Sequence, residues 1–169
     1  MVCCSGLIAG KASPDTDDYS QGTSHMEVAY NLPLVIAAVL SLLAAALHLV
    51  VIAVGPAGYR LAGAGERFVR AAEKGYRYPA FITLGIALVL TAWAAFALSG
   101  AGVMEPLPLL RPALCIITLI YLLRGLVGPF FLHNDGRSLR FVIVSSAICT
   151  GIGLVHGVGL IQVWGRLVS

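Results

Sequence analysis

The chain reads as an all-α integral membrane protein, a four-transmembrane-helix bundle with a short interfacial helix in the first cytoplasmic loop. Two observations predict this. Of 169 residues, 59% are hydrophobic and only 11% charged, with a mean hydropathy of +0.90. An ordinary soluble domain carries about 25% charged residues, so this chain lacks the polar surface to coat a globule, and lipid is its natural solvent. Four apolar runs also reach the length of about 20 residues that a bilayer crossing needs. None of them alternates as the strands of a closed barrel must in lipid, so each run is a helix. The length suits one domain.

Residues 1–25 are a different material. "MVCCSGLIAGKASPDTDDYSQGTSH" holds Asp15, Asp17 and Asp18 and no apolar run beyond "GLIAG". A signal peptide needs about 7–15 apolar residues in its core, and a lipoprotein leader places its cysteine after them, whereas Cys3 and Cys4 come first. The ending "GTSHM" has the look of a cloning scar. This stretch is expected to be an expression tag or disordered tail, with the natural chain starting at Met26. Setting it aside leaves ten basic and five acidic residues.

From there one transmembrane domain is expected over 26–169. Its first helix is predicted over 32–54, "LPLVIAAVLSLLAAALHLVV" and onward, and its second over 79–99, "PAFITLGIALVLTAWAAFALS". The third is predicted over 108–131 and the fourth over 141–164, "FVIVSSAICTGIGLVHGVGLIQVW". Charge sets their direction. Arg60, Arg67, Arg70, Lys74 and Arg77 lie between helices one and two, and Arg137 and Arg140 between three and four; the other side has only Arg111 and Arg166. Short basic loops stay in the cytoplasm, so a multi-pass protein of a bacterial inner membrane with both termini periplasmic is expected.

The first basic loop has a pattern of its own. "GERFVRAAEKG" suits a short interfacial helix, with Glu66 four residues before Arg70 and Glu73 four before Arg77, the favourable order for such pairs. Gly75 is placed to end it and Pro79 to open the next helix. Tyr76 and Tyr78 suit the headgroup layer.

Helical rise of about 1.5 Å per residue puts His48, Thr83, Arg124, Ser145 and Ser146 within roughly 5–11 Å of the cytoplasmic side. Ser41 and His48 share a face of helix one, and Tyr121, Arg124, Gly125 and Gly128 share a face of helix three. On helix four Ser145, Cys149, Gly153 and Gly157 recur at intervals of four, with His156 in the same arc. Small residues of this kind permit close helix contact, so Cys149, Gly153 and Gly157 are expected to pack against a neighbour. An inner-half polar layer of Arg124, His48, Tyr121, Thr83, Ser145 and Ser146, closed by Glu66 or Glu73 from the loop, is the expected ligand site. For Arg124, two readings stay open: its long stem snorkels to headgroups, or it faces the interior and recognises an anionic or carbonyl group, since charges within a membrane mark sites. Its shared face with Tyr121 and two glycines favours the interior.

Other chemistries find little support. His48 and His156 on antiparallel helices lie about 12–14 Å apart in depth, too far for two axial ligands on one haem iron. His133, in "LHNDGR", reads as part of a turn. Cys115 and Cys149 fall at different depths, which disfavours a disulfide. The chain has no CxxC, HExxH, phosphate-binding glycine loop or GxSxG motif, so neither a metal nor a cofactor is expected. Nucleic acid is excluded as a partner for want of basic clusters with stacking aromatics.

The stretches "YRLAGAGERFVRAAEKG", "ITLGIALVLTAWAAFALSGAG", "LPLLRPAL" and "YLLRG" resemble those of a group of small bacterial inner-membrane proteins of four helices. That resemblance covers nearly everything after Met26 and implies architecture without an activity. The small multidrug resistance transporters also have four helices but carry a membrane glutamate in the first, where this chain offers Ser41 and His48. The leading functional reading is a non-enzymatic membrane protein binding a small amphiphile, lipid or partner helix, as a transport component or otherwise. The second is a proton-coupled transporter or channel using His48, Arg124 and Glu66, and the third a membrane enzyme acting on a lipid or isoprenoid with His48 as acid–base group. Expected partners are membrane lipid, a small amphiphilic or anionic ligand and a second copy of the chain. A closed pocket marks the first reading, a continuous polar path the second, and a cavity beside His48 the third.

Overall fold

The computed structural model describes residues 30–132 and 139–165. The readings of residues 1–25 and of the turn at His133 lie outside them. All regular structure among the described residues is helical: α1 Leu32–Val54, α2 Pro56–Leu61, α3 Glu66–Glu73, α4 Tyr78–Gly100, α5 Leu110–Leu132 and α6 Leu139–Val163. Four of these, α1, α4, α5 and α6, are long and apolar enough to cross a membrane. The protein is an all-α, multi-pass membrane protein built as a four-helix bundle.

Local chemistry accounts for the helix ends. Asn31 caps α1, its side chain accepting from the Leu34 N–H at 3.0 Å, and Pro33 sits in the first turn where no N–H is needed. The helix stops at Gly55, whose φ of 73° takes the chain out of helical geometry, and Pro56 at once opens α2. That six-residue helix was not expected from the sequence. Gly75, at φ 77°, follows the end of α3, and Pro79 lies in the first turn of α4. The third transmembrane helix begins at Leu110 instead of Pro108, because Leu109 takes a left-handed φ of 57°. Ser99 ties down the preceding connection: its hydroxyl donates to the Glu105 carbonyl and accepts from the Leu107 N–H, both at 2.9 Å.

The bundle is two antiparallel hairpins, α1 against α4 and α5 against α6. They join mainly along α1 and α6 and more thinly along α4 and α5. Alanines make the α1–α4 seam: Ala38, Ala94 and Ala97 are buried together. Leu34, Leu110, Leu114, Leu160 and Val163 fill the end of the bundle away from the basic loops. Ala45, Ala87, Leu90, Ile117, Tyr121 and Ile152 fill its middle. Large side chains such as Leu47, Phe81, Leu88 and Leu126 point outward, which suits lipid. Because lipid tails are as apolar as leucine, packing and hydrogen bonds hold these helices together more than the hydrophobic effect does.

Candidate polar site in the bundle

The site nearest the basic loops is built where α5 and α6 approach most closely. At Gly125 a side chain would overlap Thr150, including its backbone nitrogen, and lie 2.9 Å from the Ser146 carbonyl oxygen. Four residues on, Pro129 lies inside α5 and has no N–H to offer the Gly125 carbonyl. Beside this contact stands Arg124, half-buried, with Nη1 fully enclosed and no hydrogen-bond partner. The guanidinium lies over Gly128: a Cβ there would be 2.5 Å from Nη1. The same point is 3.2 Å from Ser146 Oγ, which is also enclosed and without a partner in a residue only 4% exposed. Two polar atoms thus flank one glycine, and both lack a partner. A guanidinium N–H only donates, and a hydroxyl can donate as well, so both atoms carry donor capacity that the protein leaves unused.

The rest of the expected layer is engaged elsewhere. His48 bonds through Nδ1 to the Ala44 carbonyl at 2.7 Å, Thr83 donates to Pro79 at 2.8 Å and Ser145 to Val142 at 3.2 Å, each within its own helix. Glu66 pairs with Arg70 at 3.4 Å, and both are exposed. Glu73 reaches back to Arg60 instead of forward to Arg77. Among the described residues no carboxylate meets Arg124, so neither glutamate closes the layer. The reason is geometric: α3 directs its carboxylates to cations in its own loop, and Ser, Thr and His in a helix readily bond the carbonyl a turn earlier. The structure therefore gathers Arg124 and Ser146, and leaves His48, Thr83, Ser145 and Glu66 apart from them in hydrogen bonding.

Small residues on α6 also sort unequally. A Cβ at Gly153 would lie 2.9 Å from the Leu122 side chain and 3.1 Å from its backbone nitrogen, a close approach. At Gly157 the nearest atom is a Thr118 methyl at 3.6 Å, which is ordinary contact, so the tight packing expected there is absent. Cys149 is half-buried against the central cluster. It and Cys115 are free thiols.

A second polar group occupies the middle of the bundle. Tyr121 and Ser41 share a hydrogen bond of 2.9 Å between their hydroxyls, crossing from α5 to α1. The Tyr121 ring meets Trp93 edge-on at 5.1 Å and lies 5.3 Å from the ring of His156, which has no solvent exposure. His156 bonds through Nδ1 to the Ile152 carbonyl at 3.0 Å. A carbonyl only accepts, so Nδ1 donates in this bond, while Nε2 is enclosed without a partner. Sequence reasoning set His156 toward the far face and missed this contact. A depth estimate held the signal: from the far end Tyr121 is about 16 Å down α5 and His156 about 10 Å down α6, a gap two rings can span.

No family model matches the chain, and no curated protein or solved structure matches it either. Among the described residues, no cluster of three or more histidines, cysteines or acids could hold a metal ion.

Proposed function

We propose that this membrane protein binds a small amphiphile by its anionic or carbonyl head, at Arg124 and Ser146. The observation that carries this reading is the pair of enclosed, partnerless polar atoms on either side of Gly128. A buried polar group without a partner costs about 1–3 kcal/mol, more when charged, and an acceptor oxygen admitted by a swing of the flexible Arg124 side chain would offset that cost. The guanidinium also presents a fork suited to carboxylate or phosphate oxygens. An amphiphile fits better than a wholly polar solute because Arg124 lies about 12 Å inside the end of α5 and its neighbours Leu123 and Leu126 face lipid. The head enters beside α6 while the tail stays in the bilayer.

The test is to identify, by mass spectrometry, the lipids and fatty acids that co-purify with the full chain. An anionic amphiphile enriched on the unaltered protein should be lost from Arg124→Leu, and retained in part by Arg124→Lys, whose point charge lacks the fork. Arg124→Leu should insert and fold at least as well, since it removes an unpaired charge from a membrane-spanning helix. Identical lipid profiles for the unaltered protein and Arg124→Leu would end this reading.

A further inference from the structure

We infer that the concave face where α3 meets the start of α4 is a separate site for the phosphate headgroup of an anionic lipid. Arg67, Arg70, Ala71, Lys74, Tyr76 and Tyr78 line a shallow, open groove of about 270 Å³ there. The spacing of the three cations, three and then four residues, puts them on one stripe of the helix. Buried Ala71 forms the floor between them, its methyl leaving room. Beneath, Phe68 sits between the rings of Tyr59 at 6.5 Å and Tyr78 at 5.9 Å, pinning α3 to α2 and α4. The cations are therefore presented from a fixed scaffold.

The charge is not cancelled locally. Glu66 takes Arg70 and Glu73 takes Arg60. Among the described residues that leaves Arg67 and Lys74 with no carboxylate, so the groove carries two uncompensated positive charges. A phosphate monoester head, with up to two negative charges and oxygens that match a guanidinium fork, is the complementary chemistry. Location selects a lipid over a free anion. The groove belongs to the segment that connects two membrane-crossing helices and includes the first residue of the second, Tyr78, and tyrosines such as Tyr76 and Tyr78 mark the interfacial layer. Its volume falls below that of most pockets enclosing a whole small molecule, about 300–1,000 Å³, but it accommodates a headgroup whose tails remain in the bilayer.

The site is independent of Arg124, which lies on a different helix and within the bundle, so Arg124→Leu leaves it unchanged. Native mass spectrometry of the full chain with dioleoyl phosphatidic acid tests it, with dioleoyl phosphatidylcholine and inorganic phosphate as competitors. Phosphatidic acid should be retained at least about tenfold over phosphatidylcholine. The double variant Arg67→Gln, Lys74→Gln should bind it about 30-fold more weakly, the scale expected for two basic side chains at a lipid surface. Arg140→Gln, an exposed charge outside the groove, should bind as the unaltered protein does. If the double variant is not folded by circular dichroism, Lys74→Gln alone should still lose about fivefold. Equal retention by the groove variant and the unaltered chain overturns the inference. So does equal binding of phosphatidylcholine, and so does displacement by inorganic phosphate at matching concentration, which would make the site one for free anions.

Discussion

At the end of the bundle away from the basic loops, the polar groups of Asn31 are all employed. Its side-chain amide donates to Gln162 at 2.8 Å, its side-chain oxygen caps α1, and its backbone N–H donates to the Ala101 carbonyl at 3.0 Å. One residue thereby joins α1 to α6 and to the end of α4, and nearby Arg111 lies 3.9 Å from the centre of the Trp164 ring. Toward the basic loops the opposite holds. Helices α5 and α6 meet where Gly125 abuts Thr150, the α6 backbone nitrogen lying only 2.6 Å from where a Cβ would stand, while Arg124 Nη1, Ser146 Oγ and Tyr59 Oη are enclosed without partners. The far end is closed by satisfied hydrogen bonds and the near end by close backbone packing that leaves donors free. Hydrogen-bond satisfaction thus differs along the bundle axis, with Asn31 fully engaged at one end and Arg124 and Ser146 left unpaired toward the other.

Gly125→Leu should break the near end outright. Its side chain would have to displace the backbone of α6 and not merely a flexible neighbour. Overpacking of this kind costs about 3 kcal/mol and sometimes more, so most of the variant should fail to fold in detergent. A folded fraction and melting temperature like those of the unaltered protein would show that α5 and α6 do not approach this closely.

Asn31→Ala should weaken the far end by a smaller amount. The lost cap is worth about 0.5–2 kcal/mol and the bond to Gln162 about 0.5–1.5 kcal/mol. A combined loss of about 1–3.5 kcal/mol is expected in a reversible denaturation assay, with the proposed amphiphile binding at Arg124 intact. A loss of binding without a loss of stability would erase the contrast between the two ends.

The fold was legible because it follows from length and hydropathy, which constrain helices in lipid strongly. All four spans begin and end within two residues of their sequence limits, the two-residue delay of α5 following from the positive φ at Leu109, which no composition signals. The enclosed, unpaired polar pair was legible at Arg124, because a lone charge in an apolar run stands out, and at Ser146 through its depth. Side-chain pairing was not. Whether Glu73 turns to Arg77 or Arg60, or whether Thr83 bonds its own helix or a neighbour, depends on loop geometry and rotamers that spacing does not encode. His156 was hidden for a related reason: its contact depends on where the Tyr121 ring points.

Helix α6 offers the smallest and sharpest comparison, since its glycines at intervals of four look alike in sequence. Gly157 meets only the Thr118 methyl, at 3.6 Å from where a Cβ would stand, whereas Gly153 faces Leu122 at 2.9 Å. Alanine at 157 would therefore make a normal contact and also replace the poorest ordinary helix former with the best, a difference of up to about 1 kcal/mol. Gly157→Ala should leave stability unchanged or raise it by as much as about 1 kcal/mol. The same substitution at Gly153 forces Leu122 and the α5 backbone to give way, and should lower stability by roughly 1 kcal/mol or more. Parallel denaturation curves for the two alanine variants read the contrast directly. Equal losses at both positions would mean that the whole glycine stripe is a close-packing surface and that the spacing alone was the better guide.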